Sequence, residues 1–342
     1  MFKIRENEMK IKKITVWMIV MAMAVLTVGC GNKIPHNEKE NKIKIMTTLF
    51  PYYDFARAVT KGIDNIEVEL LVSPGQDDHS FEPTPADVVK INNADVFIYN
   101  GGGLETWVST VLESLDNKSQ TVIKMIDCVK PEIEVAAEKE EREKVFAVDD
   151  HDHGDENPEH EDEHHHEIDE HIWTSPKNAQ LMLSAVYDAI CKVDPSNKQT
   201  YTKNKDAYAK QLSDLDNAYR SAVDNAKNKT IVLADKFPFR YLAHEYGLEF
   251  SSAFAACSDE SEPGVSTMIK LTKTIKENNI PAVYYLEFSS TKIADTLCDE
   301  TGATKLMLHS CHNVSKQDIE NNISYVDLMK QNLENLKLTL NG

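Results

Sequence analysis

"NKQTYTKNKDAYAKQLSDLDNAYRSAVDNAK", residues 197–227, decides the architecture. Its apolar positions Tyr201, Tyr208, Leu212, Leu215, Tyr219 and Ala222 step by 7, 4, 3, 4 and 3 residues, which lines them up on one face of an α-helix. A helix of that length runs on the order of 45 Å, enough to traverse a two-lobed molecule. The alternative is one more packing helix inside a single domain. The flanks argue against it, because each reads as a complete α/β unit.

Upstream, short apolar runs at 43–47, 68–72, 96–99 and 121–125 alternate with helical segments. Downstream the same happens at 230–234, 249–253, 282–287 and 305–308. This alternation predicts mainly parallel sheets with helical crossovers. The fold class is therefore α/β: two lobes, each a mainly parallel sheet flanked by helices, joined by one long rigid helix. The expected boundaries are 43–196 for the first lobe, 197–227 for the linking helix and 228–342 for the second lobe. A single long helix between lobes resists wide hinge closure, so ligand loading is expected to move loops near the cleft rather than the lobes.

The 342-residue chain carries a net charge of −19, but the charge is local. Residues 131–170 hold 18 acidic and 3 basic residues, a net of −15, which leaves −4 for the remainder. No basic stripe follows the first residues, so nucleic acid is not an expected partner. Within 149–171 stand seven of the twelve histidines, among them His151, His153, His160, His164, His165 and His166. Such a stretch is too charged to fold around its own core, so it reads as an excursion from a βα connection. Imidazole and carboxylate together offer many weak metal ligands, and the segment reads as an auxiliary metal collector. A solvated acidic loop is the plainer alternative.

Lys10, Lys12 and Lys13 precede an apolar run, 14–28, that ends in "LTVGC". This pattern resembles a bacterial lipoprotein signal, although Thr27 stands where leucine is usual. It implies a signal over 1–29, a lipidated Cys30, a polar tether over 30–42 and a location on the outer face of the cytoplasmic membrane. A plain transmembrane anchor is the alternative, for which the run is short. Met9 is a second candidate start.

In open α/β sheets, ligands bind beyond the C-terminal ends of the strands. There the sequence places His79 in "SPGQDDHSFEP", Asp235 and Lys236 after "IVLA", Glu287 near the end of "AVYYLEF", and His309, Cys311 and His312 after "KLML". His171 stands shortly before a helix that Ser175 and Pro176 are suited to begin. Three histidines with a carboxylate or water form a common zinc set. Cys257 and Cys311 both follow strands of the second lobe, as a disulfide or as two buried thiols. Cys311 or His312 as a metal ligand is a third option.

"FPYYDFARAV", "LVSPGQDDHSFEPTPADV", "NADVFIYNGGGLETW", "HIWTSPKNA", "DPSNKQTYTKNKDAY" and "SEPGVSTMIKL" together resemble the extracytoplasmic zinc/manganese-binding proteins of ABC importers. The resemblance runs from about residue 43 to 341. It implies a metal held between two lobes and delivered to an ABC permease driven by a cytosolic ATPase. By resemblance, His79 is the first ligand and His171 the second. Lys236 stands where the family has His or Glu, and a protonated lysine cannot ligate. His244, inside "FRYLAHEYG", reads as a surface residue and no substitute. His309 stands where the family has an Asp after the last core strand. The expected site is thus His79, His171 and His309, with Glu287, Asp235 or water as fourth ligand. Zn2+ is favoured over Mn2+, which prefers more oxygen ligands.

The reading is a monomeric zinc-capture protein rather than an enzyme. A secreted zinc hydrolase would also use three protein ligands, but H-E-x-x-H and G-x-S-x-G are absent. A surface metal buffer or adhesin uncoupled from transport is the other alternative.

Overall fold

The computed structural model describes residues 42–76, 78–129, 169–254 and 262–342, which build two four-stranded sheets. The first holds β1 (Ile43–Thr47), β2 (Ile66–Leu70), β3 (Val96–Tyr99) and β4 (Thr121–Lys124) in the order β2-β1-β3-β4. The second holds β5 (Thr230–Lys236), β6 (Glu249–Phe254), β7 (Ala282–Leu286) and β8 (Thr304–Leu308) in the order β6-β5-β7-β8. Every recorded pairing is parallel. Both sheets follow one plan, in which the first strand lies inside and its successor takes the edge. The strands lie close to their sequence expectations, except that β2 starts two residues earlier than 68.

The helices are α1 (Phe50–Thr60), α2 (Pro85–Asn92), α3 (Trp107–Ser114), α4 (Pro176–Val193), α5 (Lys198–Asp224), α6 (Arg240–Tyr246), α7 (Val265–Glu277), α8 (Lys292–Thr301), α9 (Lys316–Glu320) and α10 (Tyr325–Asn341). Ser175 caps α4 through its Oγ, which accepts from the Asn178 amide, with Pro176 in the first turn. Among the described residues, no helix is long and apolar enough to cross a membrane.

The linking helix is α5, about 40 Å long. It buries Tyr201, Tyr208, Leu212, Leu215, Tyr219 and Val223. The last buried position is Val223 rather than the expected Ala222, because 3.6 residues per turn drift against the assumed 3-4 stepping. The helix packs on α1, α4, α6 and α10.

Strand side chains alternate between faces, and here the alternation divides three cores. Ile45, Val96 and Ile98 of the first sheet join Ile231, Leu233, Ala282 and Tyr284 of the second in one continuous core with α1, α4, α5 and α10. The opposite face of the first sheet offers Met46 and Phe97 to α2 and α3. The opposite face of the second offers Val232 and Val283 to α7 and α8. The two sheets are therefore welded through a shared interior.

Asp54 on α1 reinforces that weld. Its Oδ2 accepts from the Tyr208 hydroxyl of α5 and, at 2.8 Å, from the backbone N–H of Tyr325 at the start of α10. The Tyr325 hydroxyl in turn donates to the Trp173 carbonyl at 2.6 Å.

Candidate metal centre

Three segments converge at one end of the sheets. The loop after β2 carries His79, the short 3-10 turn Ile172–Thr174 follows His171, and the connection between β8 and α9 carries His312. Ligand atoms of these three imidazoles all lie within 4.8 Å of one another. The ring centroids of His171 and His312 are 4.8 Å apart, and those of His79 stand 5.3 Å from His312 and 5.9 Å from His171. His79 is exposed, whereas His171 is only 1% exposed. Trp173 packs edge-on against the His312 ring and floors the cluster.

Orienting groups fix which nitrogen each buried ring presents. The Asp169 carboxylate lies 2.8 Å from His171 Nδ1 and also accepts the His171 amide. An ionised carboxylate can only accept, so Nδ1 carries the proton and Nε2 keeps its lone pair for the cluster. Burial pushes the Asp169 carboxyl up, but the His171 ring and the Arg240 guanidinium outweigh that and hold it below its ordinary value.

A relay does the same for His312. The Ser310 hydroxyl donates to Glu287 Oε1, so it must accept from His312 Nδ1, 2.6 Å away. His312 Nε2 is buried and has no hydrogen-bond partner among the described residues. A buried imidazole nitrogen without a partner, on a ring clustered with two others, is what a metal site needs. Burial, together with the charges of His171, His79, His309 and Lys236, holds His312 well below its ordinary pKa and keeps it neutral.

In place of His309, the third imidazole is His312. His309 abuts the strand end, where its amide donates to Asn332 Oδ1 and its carbonyl accepts from Asn332 Nδ2. Its Nδ1 accepts the Cys311 amide at 3.0 Å and lies 3.5 Å from Glu287 Oε1, so that nitrogen supports the turn. Glu287 does not join the cluster either. Its two oxygens accept the Ser310 amide and hydroxyl, which makes it the orienting carboxylate of His312. Asp235 turns back to accept the amide of Lys236 at 2.8 Å. Cys311, with φ of +64°, is a buried free thiol that donates to the His309 carbonyl. Cys257, Cys30 and the six histidines between 151 and 166 lie outside the described residues. His244 is exposed, as expected.

His312, named from the sequence only as a third option, was within closer reach than that. His79 stands well beyond the end of β2 and His312 four residues beyond Leu308, whereas His309 follows the strand directly. Asn313, next in sequence, clips the two loops together, with its Nδ2 donating to the carbonyls of Ser73 and Gln76 on the His79 loop.

The "GGG" at 101–103 has its own part. Glu170 reaches into this loop, where its Oε2 accepts the Leu104 amide at 2.7 Å, while Asn100 Nδ2 donates to its backbone carbonyl. Gly102 has φ of +84°, and a Cβ there would lie 2.7 Å from the Glu170 side chain. The loop is glycine because the backbone must fold round that carboxylate, which anchors the residue next to His171.

Glu105 sits beneath this loop and accepts the Gly101 amide at 2.7 Å. Burial pushes its carboxyl up to about 7, against the pull of the Thr48 hydroxyl and nearby amides and with help from the Glu170 charge. A raised carboxyl contributes stability that is present below its unfolded pKa and lost as pH rises through about 7. Glu105→Gln keeps an acceptor and carries no charge. Its stability relative to the parent is expected to be near zero at about pH 4 and to rise to roughly 2–3 kcal/mol at about pH 8. Urea unfolding of both proteins at the two pH values checks this; a constant difference would refute it.

The chain matches the family model described as "ZnuA: Zinc-uptake complex component A periplasmic" over residues 45–338. It is 34% identical over 328 residues to the zinc-binding lipoprotein AdcA of Streptococcus pneumoniae, covering 96% of this chain and 61% of that protein. It is 35% identical over 328 residues to the high-affinity zinc uptake system protein ZnuA of Bacillus subtilis, covering 94% of this chain and 96% of that protein. The Zn(II)-bound ZnuA-like domain of Streptococcus pneumoniae AdcA has 30% identity and a TM-score of 0.69, covering 88% of this chain and 100% of that one. The chain thus spans 61% of the length of AdcA.

Proposed function

Since the chain belongs to the family of the periplasmic zinc-uptake component ZnuA, we propose that it captures Zn2+ outside the cytoplasm and delivers it to an ABC permease with its cytosolic ATPase. His79, His171 and His312 hold the ion, each through one imidazole nitrogen. The observation that carries this reading is the buried, unpartnered Nε2 of His312, on a residue whose ligand atom lies within 4.8 Å of those of two other histidines. A set of imidazoles without a clustered carboxylate suits zinc better than manganese. The protein acts as a binding component, not an enzyme, and as a monomer anchored through a lipid on Cys30. The segment from His151 to His166 serves as an accessory collector that raises local zinc near His171.

Competition with a chelator tests this on the mature chain and on a variant lacking residues 149–166. The expected result is one tight zinc site in both. Tight binding that disappears with the segment would overturn the cleft assignment.

A further inference from the structure

Two consecutive residues of α6, in the second half of the chain, take hold of Asp169, which stands two residues before His171. Arg240 Nε lies 3.3 Å from Asp169 Oδ2, and the Tyr241 hydroxyl donates to the Asp169 carbonyl at 2.8 Å. The other carboxylate oxygen, Oδ1, accepts the His171 amide and lies 2.8 Å from His171 Nδ1. The Asp169 side chain is 4% exposed and that of Arg240 22%. Guanidinium, carboxylate and imidazole thus form a line that ends on a histidine of the cluster. Tyr241 fixes the backbone of Asp169 but not the plane of its carboxylate, because the last torsion of an aspartate is broad. A charged donor on Oδ2 narrows that freedom.

We propose that Arg240 is a positioning residue of the zinc site: it holds Asp169 so that Oδ1 stays on His171 Nδ1 and the ring keeps Nε2 for the ion. The inference rests on the three-histidine reading above and deepens it, since Arg240 lies outside the ligand set. A helix of the second half thereby sets the aim of a ligand from the first. The guanidinium helps the ion only through the carboxylate. Its direct effect on a dication is repulsive, so without the Asp169 charge its removal does not weaken binding. An arginine that merely packed α6 in place would matter equally whatever stood at position 169.

Chelator competition with zinc on the mature chain tests this as a cycle of parent, Arg240→Met, Asp169→Asn and the double variant. Asp169→Asn should weaken zinc binding by at least about tenfold. Arg240→Met alone should weaken it by about five- to tenfold, and Arg240→Lys should recover most of that. In the Asp169→Asn background, Arg240→Met should change the affinity by less than about twofold. Urea midpoints establish that each variant folds, and Arg240→Gln takes the place of Arg240→Met in the cycle if the latter does not. His171→Ala locates the site and should lose tight binding. An equal loss from Arg240→Met in both backgrounds, or no loss in the parent, would overturn the inference and leave the zinc-capture reading standing. Unchanged affinity in His171→Ala would overturn both, because the cluster would then not be the site.

Discussion

His312→Ala is expected to lower zinc affinity by more than about 100-fold, while His309→Gln leaves it within about tenfold. The two residues lie three apart on one turn, so the pair of variants separates ligation from support. Loss of His312 removes a donor from the cluster and leaves two imidazoles. Loss of the His309 ring removes an acceptor for the Cys311 amide, which shifts the turn but leaves all three clustered rings in place. Glu287→Gln falls between them, because the Ser310 relay would then no longer end in a charged acceptor. Orienting partners of metal-bound histidines are generally worth 10–100-fold in affinity. Isothermal titration in the presence of a competing chelator reads all three. Equal losses in His312→Ala and His309→Gln would remove the distinction between ligand and support.

Asp54→Ala should cost about 3 kcal/mol of folding stability, while Asp54→Asn costs less than about 1.5 kcal/mol. The alanine leaves the Tyr208 hydroxyl and the Tyr325 amide buried without an acceptor, and each orphan is worth about 1–3 kcal/mol. Asparagine keeps an acceptor oxygen at that place. It also removes a carboxylate that burial already disfavours, since burial raises the Asp54 pKa against the pull of Tyr208 and Tyr325. The carboxylate stands at the N-terminus of α10, where negative charge is favourable, so the asparagine is not free of cost. Urea midpoints of the three proteins decide the matter, and equal midpoints for alanine and asparagine would count against it.

Much of the fold was legible because it is written in local periodicity. The spacing from Tyr201 to Tyr219 gave α5 and nearly all of its buried stripe, and short runs such as 96–99 gave strands within a residue or two. The continuous core was not legible. Whether Ile45 and Tyr284 meet the same interior depends on which strand takes which neighbour, and alternation alone is silent on that. The site divides in the same way. His79 and His171 were named from the residues around them, and the structure brings their rings together with that of His312. The choice between His309 and His312 turns on a left-handed Cys311 and on an asparagine 23 residues further along, Asn332, which holds His309 at the sheet edge. Those are tertiary facts. Lys236 stood out in the sequence as an obstacle to ligation, and in the structure it ends β5 at a register shift against β6.

Under the proposed function, the shared interior of the two sheets bears on how a transporter would tell a loaded carrier from an empty one. Receptors that clamp shut on their cargo announce occupancy through a change of silhouette. Here buried side chains of both sheets interlock in one core, and the Asn313 clip already joins the loops that carry His79 and His312. Empty and loaded molecules would then offer nearly the same outline. Occupancy would have to be signalled at the mouth of the cleft, through the charge and the order of a few loop residues. An empty carrier would compete with a loaded one for the docking surface unless that local signal sets them apart.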